Sequence, residues 1–404
     1  MDKNWRTPII VLLAGALIVN FSMGIRHGMG LFLKPMTGDL GFTREAYGFA
    51  IAMQNIMWGL SAPILGMIAD KYGAARVIAV TCVLYAVGLW GMELSTTPLM
   101  LAMTGGVIIG IAQGGCTVGV ISGVVGRAVD ASQRQQALAI AGALGAAGQF
   151  YLTPLLQWVI SAYGWRSSLL VGAILMVMIV PVAMAMTEPG KAAAGSGPQQ
   201  SVSAAISEAW GERSFKLLCL GYFVCGLQVV FIGVHLPAYL RDQGLSANVG
   251  VMALALIAVG NIVGTYVWGM QGAKRPKRYL LSAIYTLRAV AILVFLAVPL
   301  TPWSVYVFAL CMGTLWLSTV PLTNGLVAQI FGVKYLSMLA GMVFLGHQFG
   351  SFLGAWAGGA LFDATGSYTL AWLIAAGFGV FAALVHLPID ETPLARLTAQ
   401  PAPA

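Results

Sequence analysis

The chain is a succession of long apolar runs broken by short polar stretches. Runs of about 20 residues or more, the length that crosses roughly 30 Å of hydrocarbon, fall at 8–35, 45–69, 76–94, 98–126, 135–161, 167–186, 215–240, 247–270, 279–299, 303–331, 336–362 and 369–388. The first run is longer than a signal-peptide core and continues past Arg26 without a small-residue cleavage site, so it reads as a retained first helix. The long polar interruption is 187–214, with Pro189-Gly190, Gly195-Ser196-Gly197-Pro198, Glu208, Glu212 and Arg213. It divides the chain into six plus six. The expectation is an all-α membrane protein with one six-helix bundle at 1–186, a cytoplasmic linker at 187–214 and a second six-helix bundle at 215–404.

The two halves repeat. Phe42-Thr43 after the first helix matches Leu245-Ser246 after the seventh at an offset of about 203 residues. Tyr163-Gly164-Trp165-Arg166 matches Thr365-Gly366-Ser367-Tyr368, and the loop from Gly66 to Arg76 matches the basic run Lys274–Arg278 after Gly269. Junctions sharing one offset predict two parallel six-helix repeats with pseudo-symmetry.

Composition sharpens this picture. Hydrophobic residues make up 59% and charged residues 8%, far too few charges to cover a water-soluble fold. The net charge of +8 would suggest nucleic acid in a soluble chain. Here the basic residues gather at alternate junctions: Lys34, Arg44, Arg166 and Arg241 fall on one side, Arg26 and Arg288 inside the apolar runs, and the other fifteen on the side of the N-terminus. The positive-inside rule therefore predicts both termini in the cytoplasm, and no nucleic-acid partner. The five cysteines lie in apolar runs without ligand spacing and read as packing residues. No metal or cofactor is implied.

The stretch Gly66-x-x-x-Asp70-Lys71-x-Gly73-x-x-Arg76 resembles the loop signature of the major facilitator superfamily: a glycine, Asp-Arg/Lys, a glycine and basic residues. The resemblance extends to the six-plus-six plan across the whole chain. It implies that Gly66, Asp70, Lys71, Gly73 and Arg76 form a cytoplasmic latch in the outward-open state. The second copy carries Ala273 where the aspartate would stand, which implies a weaker latch in the C-terminal half. Within the superfamily the chain is most similar to the monocarboxylate porter and oxalate/formate exchanger group. Phe21-Ser22 before a membrane-embedded basic pair, Phe32, Gly221–Gly226, His235-Leu236-Pro237-Ala238-Tyr239-Leu240, and Pro154 ahead of Gly164-Trp165-Arg166 carry that likeness. It departs in lacking the porters' acidic signature entering the first helix, and in having Asn261 and Thr265 near the places of their Asp/Arg pair in the eighth.

The candidate chemistry follows from what the apolar runs contain. The carboxylates sit in loops, tails or helix ends, whereas Arg26 and Arg288 lie well inside. A guanidinium stays protonated, and an unpaired one in hydrocarbon costs several kcal/mol. The missing negative charge is therefore expected to be the substrate, since the planar fork of arginine suits a carboxylate. The resemblance places the first, fourth, seventh and tenth helices around the cavity, which favours Arg26. Its competing reading is an arginine snorkelling to the outer face. Arg288, with Tyr285 one turn back, either joins the site or is capped by carbonyls and hydroxyls between helices. His27 and His347 can titrate near neutrality, hydrogen-bond a carboxylate, or serve packing alone. Gln348, Gln113, Trp316 and Asn324 complete the expected substrate-binding set, with Gln54, Asn55 and Trp58 expected at an outer gate. Small-xxx-small stripes at Gly142, Gly145 and Gly148 and at Gly346, Gly350, Gly354 and Gly358 are expected to let the halves approach and slide.

The function expected is that of a secondary active transporter. It would carry a small organic anion, a mono- or dicarboxylate, across the inner membrane by alternating access, by proton symport or anion antiport. A monomer is expected, with the organic anion, protons and the lipid bilayer as its partners. An efflux carrier for drugs or siderophore-like compounds is the alternative. No nucleophile–base pair or metal cluster suggests an enzyme.

Overall fold

The computed structural model describes residues 7–128, 134–187, 201–332 and 336–394, the side chains at 70, 71, 118, 122, 126, 127, 134–143, 146, 202, 336 and 337 excepted. The expected linker lies in part outside the described residues; what is described of it contains the short helix Val202–Gly211.

The helices follow the apolar runs. They are α1 (Pro8–His27), α2 (Arg44–Tyr72), α3 (Ala74–Glu93), α4 (Pro98–Val125), α5 (134–163), α6 (165–178), α7 (Arg213–Asp242), α8 (Ala247–Gly272), α9 (Lys277–Ala297), α10 (Pro302–Phe331), α11 (Leu336–Thr365) and α12 (Thr369–His386). Starts are set by local chemistry. Thr7, Thr43, Thr97 and Thr301 cap the first turns of α1, α2, α4 and α10 through their hydroxyls, and Pro8, Pro98 and Pro302 follow where a missing N–H costs nothing. Among the described residues, eleven helical stretches, not twelve, are long and apolar enough to span. The reason is that α5 and α6 join without a gap in Ala147–Met186, a run that at 1.5 Å per residue is about twice the bilayer core. Gly164, at φ 84°, turns the chain between them.

The repeat is visible in the backbone. Gly41 and Gly244, 203 residues apart, both take positive φ, as do Gly164 and Gly366, 202 apart. Packing repeats too: a Cβ on Gly148 would collide with the Asn20 carbonyl, and one on Gly350 with the Phe223 carbonyl. These crossings, α1 on α5 and α7 on α11, correct the expectation for the glycine stripes. Gly145 and Gly148 face α1, and Gly346, Gly350, Gly354 and Gly358 face α7, so the stripes weld helices within a half. Gly142 is outside the described side chains.

Two buried apolar clusters result. One is built around Ile18, Ile25, Ile78, Leu89 and Ile109 and the other around Leu218, Ile257, Ile284, Phe308 and Trp372. Outward, Ile9, Leu13, Ile64, Met67, Val263, Tyr266 and Leu384 are exposed, an apolar belt that only lipid covers favourably. The chain is a multi-pass membrane protein.

After α12 the tail folds back over the end of the C-terminal half that carries the terminus. Ile389 is fully buried, Asp390 exchanges two hydrogen bonds with Ser214 (3.0 and 3.1 Å), and Leu394 N–H donates to Ile330 O at 3.0 Å. Glu391 accepts from the backbone N–H of Arg278 at 2.7 Å, placing a carboxylate at the positive end of α9. Thr392 donates to the Asp390 carboxylate through backbone and hydroxyl (3.0 and 2.9 Å), holding that exposed carboxyl below its ordinary range.

Candidate functional site

The helix α1 ends inside the bundle, immediately after Arg26 and His27, and passes into a 3-10 turn at Met29–Leu31. That ending sets the negative end of a helix dipole beside two basic side chains. The Arg26 guanidinium reaches α2, where it donates to Gln54 Oε1 at 2.8 Å and to Asn55 Oδ1. Both amides are themselves oriented: Gln54 Nε2 donates to Gly105 O at 2.8 Å and Asn55 Nδ2 to Ile51 O at 2.7 Å, leaving their oxygens aimed at the arginine. Gln54 lies ten residues into α2, about 15 Å from its Arg44 end. The arginine therefore sits near mid-membrane rather than snorkelling to a rim. It also lies over the Trp58 ring at 4.9 Å.

Neutral oxygens occupy two of the five guanidinium donors. Among the described residues no carboxylate contacts Arg26; the ion pairs found join Asp242 to Lys34 and Arg44 instead. Arg26 is half-buried, and the two amide oxygens are its hydrogen-bond acceptors among the described residues.

Arg288 is placed differently. It is fully buried and its donors are met by protein: Nε to Leu315 O (3.1 Å), a terminal nitrogen to Leu315 O (2.6 Å) and Trp316 O, and the other to Gln228 Oε1 (3.3 Å). The carbonyls are free because α10 breaks at 316–318, which removes their intrahelical partners. Arg288 is a clasp on a broken helix. Tyr285 is buried with it, stacked on His386 at 5.1 Å. Trp316 contributes its carbonyl, and its buried indole N–H has no partner among the described residues.

His347 and Gln348 lie at the height of Arg26. Gln348 Nε2 donates across the halves to Asn55 O at 3.0 Å, and its Oε1 lies 3.2 Å from His347 Nδ1. The His347 ring stacks on Phe344 and lies against Tyr222. Phe344 meets Trp58 edge to face at 5.4 Å. Arg26, Gln348 and His347 thus share one layer with Asn55 and Trp58. The remaining expected residues make other contacts. His27 turns back to Met23 O at 2.7 Å, Gln113 is fully buried against Tyr85 (3.4 Å), and Asn324 is exposed on the terminal half of α10.

Among the described residues, the contacts between halves run from this layer to the face away from the termini. Gly30 packs on the Gly233 and Val234 backbone, Gly48 on Ala355, and Gln149 Nε2 donates to Leu254 O at 3.0 Å. At the rim, Asp242 is clamped by Lys34 (2.8 Å) and by both terminal nitrogens of Arg44. Asp363 caps α2 by accepting from the backbone N–H of Arg44 and Glu45 (3.3 and 2.6 Å), and Arg44 lies over Phe362 at 3.7 Å. The far face is closed by these contacts.

Sequence reading missed this clamp, and it placed Gln54, Asn55 and Trp58 at the gate when they hold and flank Arg26. A signal was present. Asp39 and Asp242 are 203 residues apart; Asp39 binds the Trp165 indole within its own half at 2.8 Å, while its repeat mate reaches across. Of the expected cytoplasmic latch, the Asp70 and Lys71 side chains lie outside those described. Gly66 has open space around it, Gly73 takes φ 99° at the end of α2, and Arg76 is exposed.

Comparison with known proteins agrees with this architecture. A family model described as Major Facilitator Superfamily matches residues 12–334 and 218–403. The chain is 25% identical to monocarboxylate transporter 13 of Bos taurus, over 97% of this chain and 92% of that one. It is 24% identical to a gallate transporter of Pseudomonas putida, over 87% of each. The crystal structure of a bacterial homolog to the human lysosomal transporter Spinster, inward-facing and unoccupied, superposes with a TM-score of 0.72 at 15% identity, covering 96% of this chain and 99% of that one. Transporters of this kind move small molecules and are not enzymes. The helices α1–α12 in two repeated bundles and a family match along nearly the whole chain lead to one conclusion: the chain belongs to the major facilitator superfamily.

Proposed function

We propose that the protein is a secondary active transporter of a small organic anion, a mono- or dicarboxylate, working by alternating access across the inner membrane. One observation carries the reading: Arg26 stands near mid-membrane with neutral amide oxygens as its protein partners and donors to spare. A cation so placed gains most when an anion docks on it, because the low dielectric strengthens the attraction. Similarity to a monocarboxylate transporter and a gallate transporter, both named for carboxylates, supports the substrate class.

The asymmetry of basic residues supports a cytoplasmic position for both termini. Closure of the far face then corresponds to a carrier open toward the cytoplasm. Proton symport and anion exchange both suit this arrangement, in which His347 lies beside Gln348 in the central layer.

The test is counterflow in proteoliposomes with a panel of labelled carboxylates. Wild type should exchange at least one of them, and Arg26→Gln should abolish the exchange while the protein stays folded. Unchanged carboxylate transport by Arg26→Gln, with export of amphipathic drugs depending on the same protein, would establish the efflux alternative.

A further inference from the structure

Beside Arg26, rings as well as amides line the groove between the halves. Trp58 lies under the guanidinium, and Phe344 of the other half meets it edge to face at 5.4 Å and 74°. Phe344 in turn stacks on His347 at 5.5 Å, and His347 lies 5.0 Å from Tyr222. The rings form a ribbon across both halves, starting at the cation.

Trp58 belongs to the groove, not to the lipid. On a helix of 3.6 residues per turn it lies about 160–180° around from Phe49, Leu60 and Met67, which are exposed at 40%, 47% and 64%. Trp58 and Phe344 are half-buried, so both keep ring surface uncovered.

The charge count narrows the ligand as well. Arg26 is the cation of this layer with free donors, since those of Arg288 are met by carbonyls and by Gln228. One carboxylate is matched; a second in the same layer would lie against rings and amides without a counter-charge, a costly placement.

We infer that Trp58 and Phe344 are specificity-determining residues, selecting a monocarboxylate carried on a flat ring over short aliphatic acids and over dicarboxylates. The inference rests on the reading of Arg26 as the carboxylate anchor. The carboxylate lies on Arg26, and the ring of the substrate packs on Trp58 and Phe344 in offset or edge-to-face geometry.

The experiment is a ligand-binding thermal shift on the purified full-length protein, with benzoate, lactate and succinate as probes, confirmed by their competition in proteoliposome counterflow. Wild type should bind benzoate about three- to tenfold more tightly than lactate, the range a ring contact supplies, and succinate more weakly still. Phe344→Leu and Trp58→Leu should bring the benzoate-to-lactate ratio close to one, while Phe344→Tyr and Trp58→Phe should keep it. The ligand-free melting temperature reports whether each variant folds, and a ratio is read from folded variants alone. Lactate or succinate binding as tightly as benzoate in wild type, or a ratio unchanged in both leucine variants, overturns the ring selection and leaves the carboxylate anchor standing. Absence of binding by all three acids, or binding indifferent to Arg26→Gln, overturns the anchor and this inference with it.

Discussion

The side-chain amide of Gln348 donates at 3.0 Å to the backbone carbonyl of Asn55, whose own side-chain oxygen receives Arg26. A bond between the halves is thereby one residue removed from the proposed anion anchor. A ligand that drew Arg26 away from Asn55 would disturb the turn of α2 that Gln348 grips.

The first prediction follows from that link. Gln348→Leu removes one hydrogen bond between halves, about 1 kcal/mol, without touching the guanidinium. Carboxylate binding should persist while the turnover rate in counterflow changes by about fivefold, measured as separate Kd and exchange-rate effects. Equal loss of both would mean that Gln348 holds substrate directly.

The two embedded arginines should respond oppositely in stability. Arg288→Gln strands the Leu315 and Trp316 carbonyls in a dry core, so the melting temperature should fall in line with a cost of about 3 kcal/mol or more. Arg26→Gln relieves a cation without a counter-charge and should leave melting unchanged or raise it. Thermal unfolding in one detergent, both variants side by side, decides this.

Legibility in the sequence divided along the same line. The helices, the repeat offset and the depth of Arg26 were readable because hydropathy, glycine spacing and charge are local properties. The role of Arg288 was not. It depends on a break in α10 that frees two carbonyls; Pro321, which has no N–H to offer the Leu317 carbonyl, marks that break in the sequence, but nothing local says that Arg288 of another helix fills it. The rim clamp was hidden for a related reason: Asp242, Lys34, Arg44 and Asp363 look like ordinary loop charges until α1, α2, α7 and α11 bring their ends together. The glycine stripes were recognisable as contacts, but period alone does not say which helix they face.

The clamp itself should be adjustable. Its side chains are partly exposed, 33% for Lys34, 21% for Asp242 and 12% for Arg44. Such pairs contribute about 1 kcal/mol or less each. Asp242→Asn should shift the population toward a carrier open on that face, seen as a longer distance between spin labels at Gly38 and Asn248. High salt should lengthen the wild-type distance in the same direction, and an identical distribution in all samples would show that the charges do not hold the face shut.

Repeat symmetry gives a paired prediction. Gly148→Ala and Gly350→Ala each drive a methyl into a backbone oxygen, of Asn20 and Phe223 respectively. Each should destabilise by roughly 1–3 kcal/mol, with similar drops in melting temperature because the crossings are equivalent. A drop confined to one variant would mean that the other half relaxes where its mate does not.

The folded-back tail has a practical consequence. Ile389, Asp390, Glu391 and Leu394 are stitched to the starts of α7 and α9 and to the end of α10. Anything fused directly behind Leu394 would hang from a fixed anchor and move with the C-terminal half. A fluorophore attached there, paired with one near Thr7, would read the rocking of the halves as a distance. Trimming the chain back to His386 to shorten a fusion would cut away that anchor.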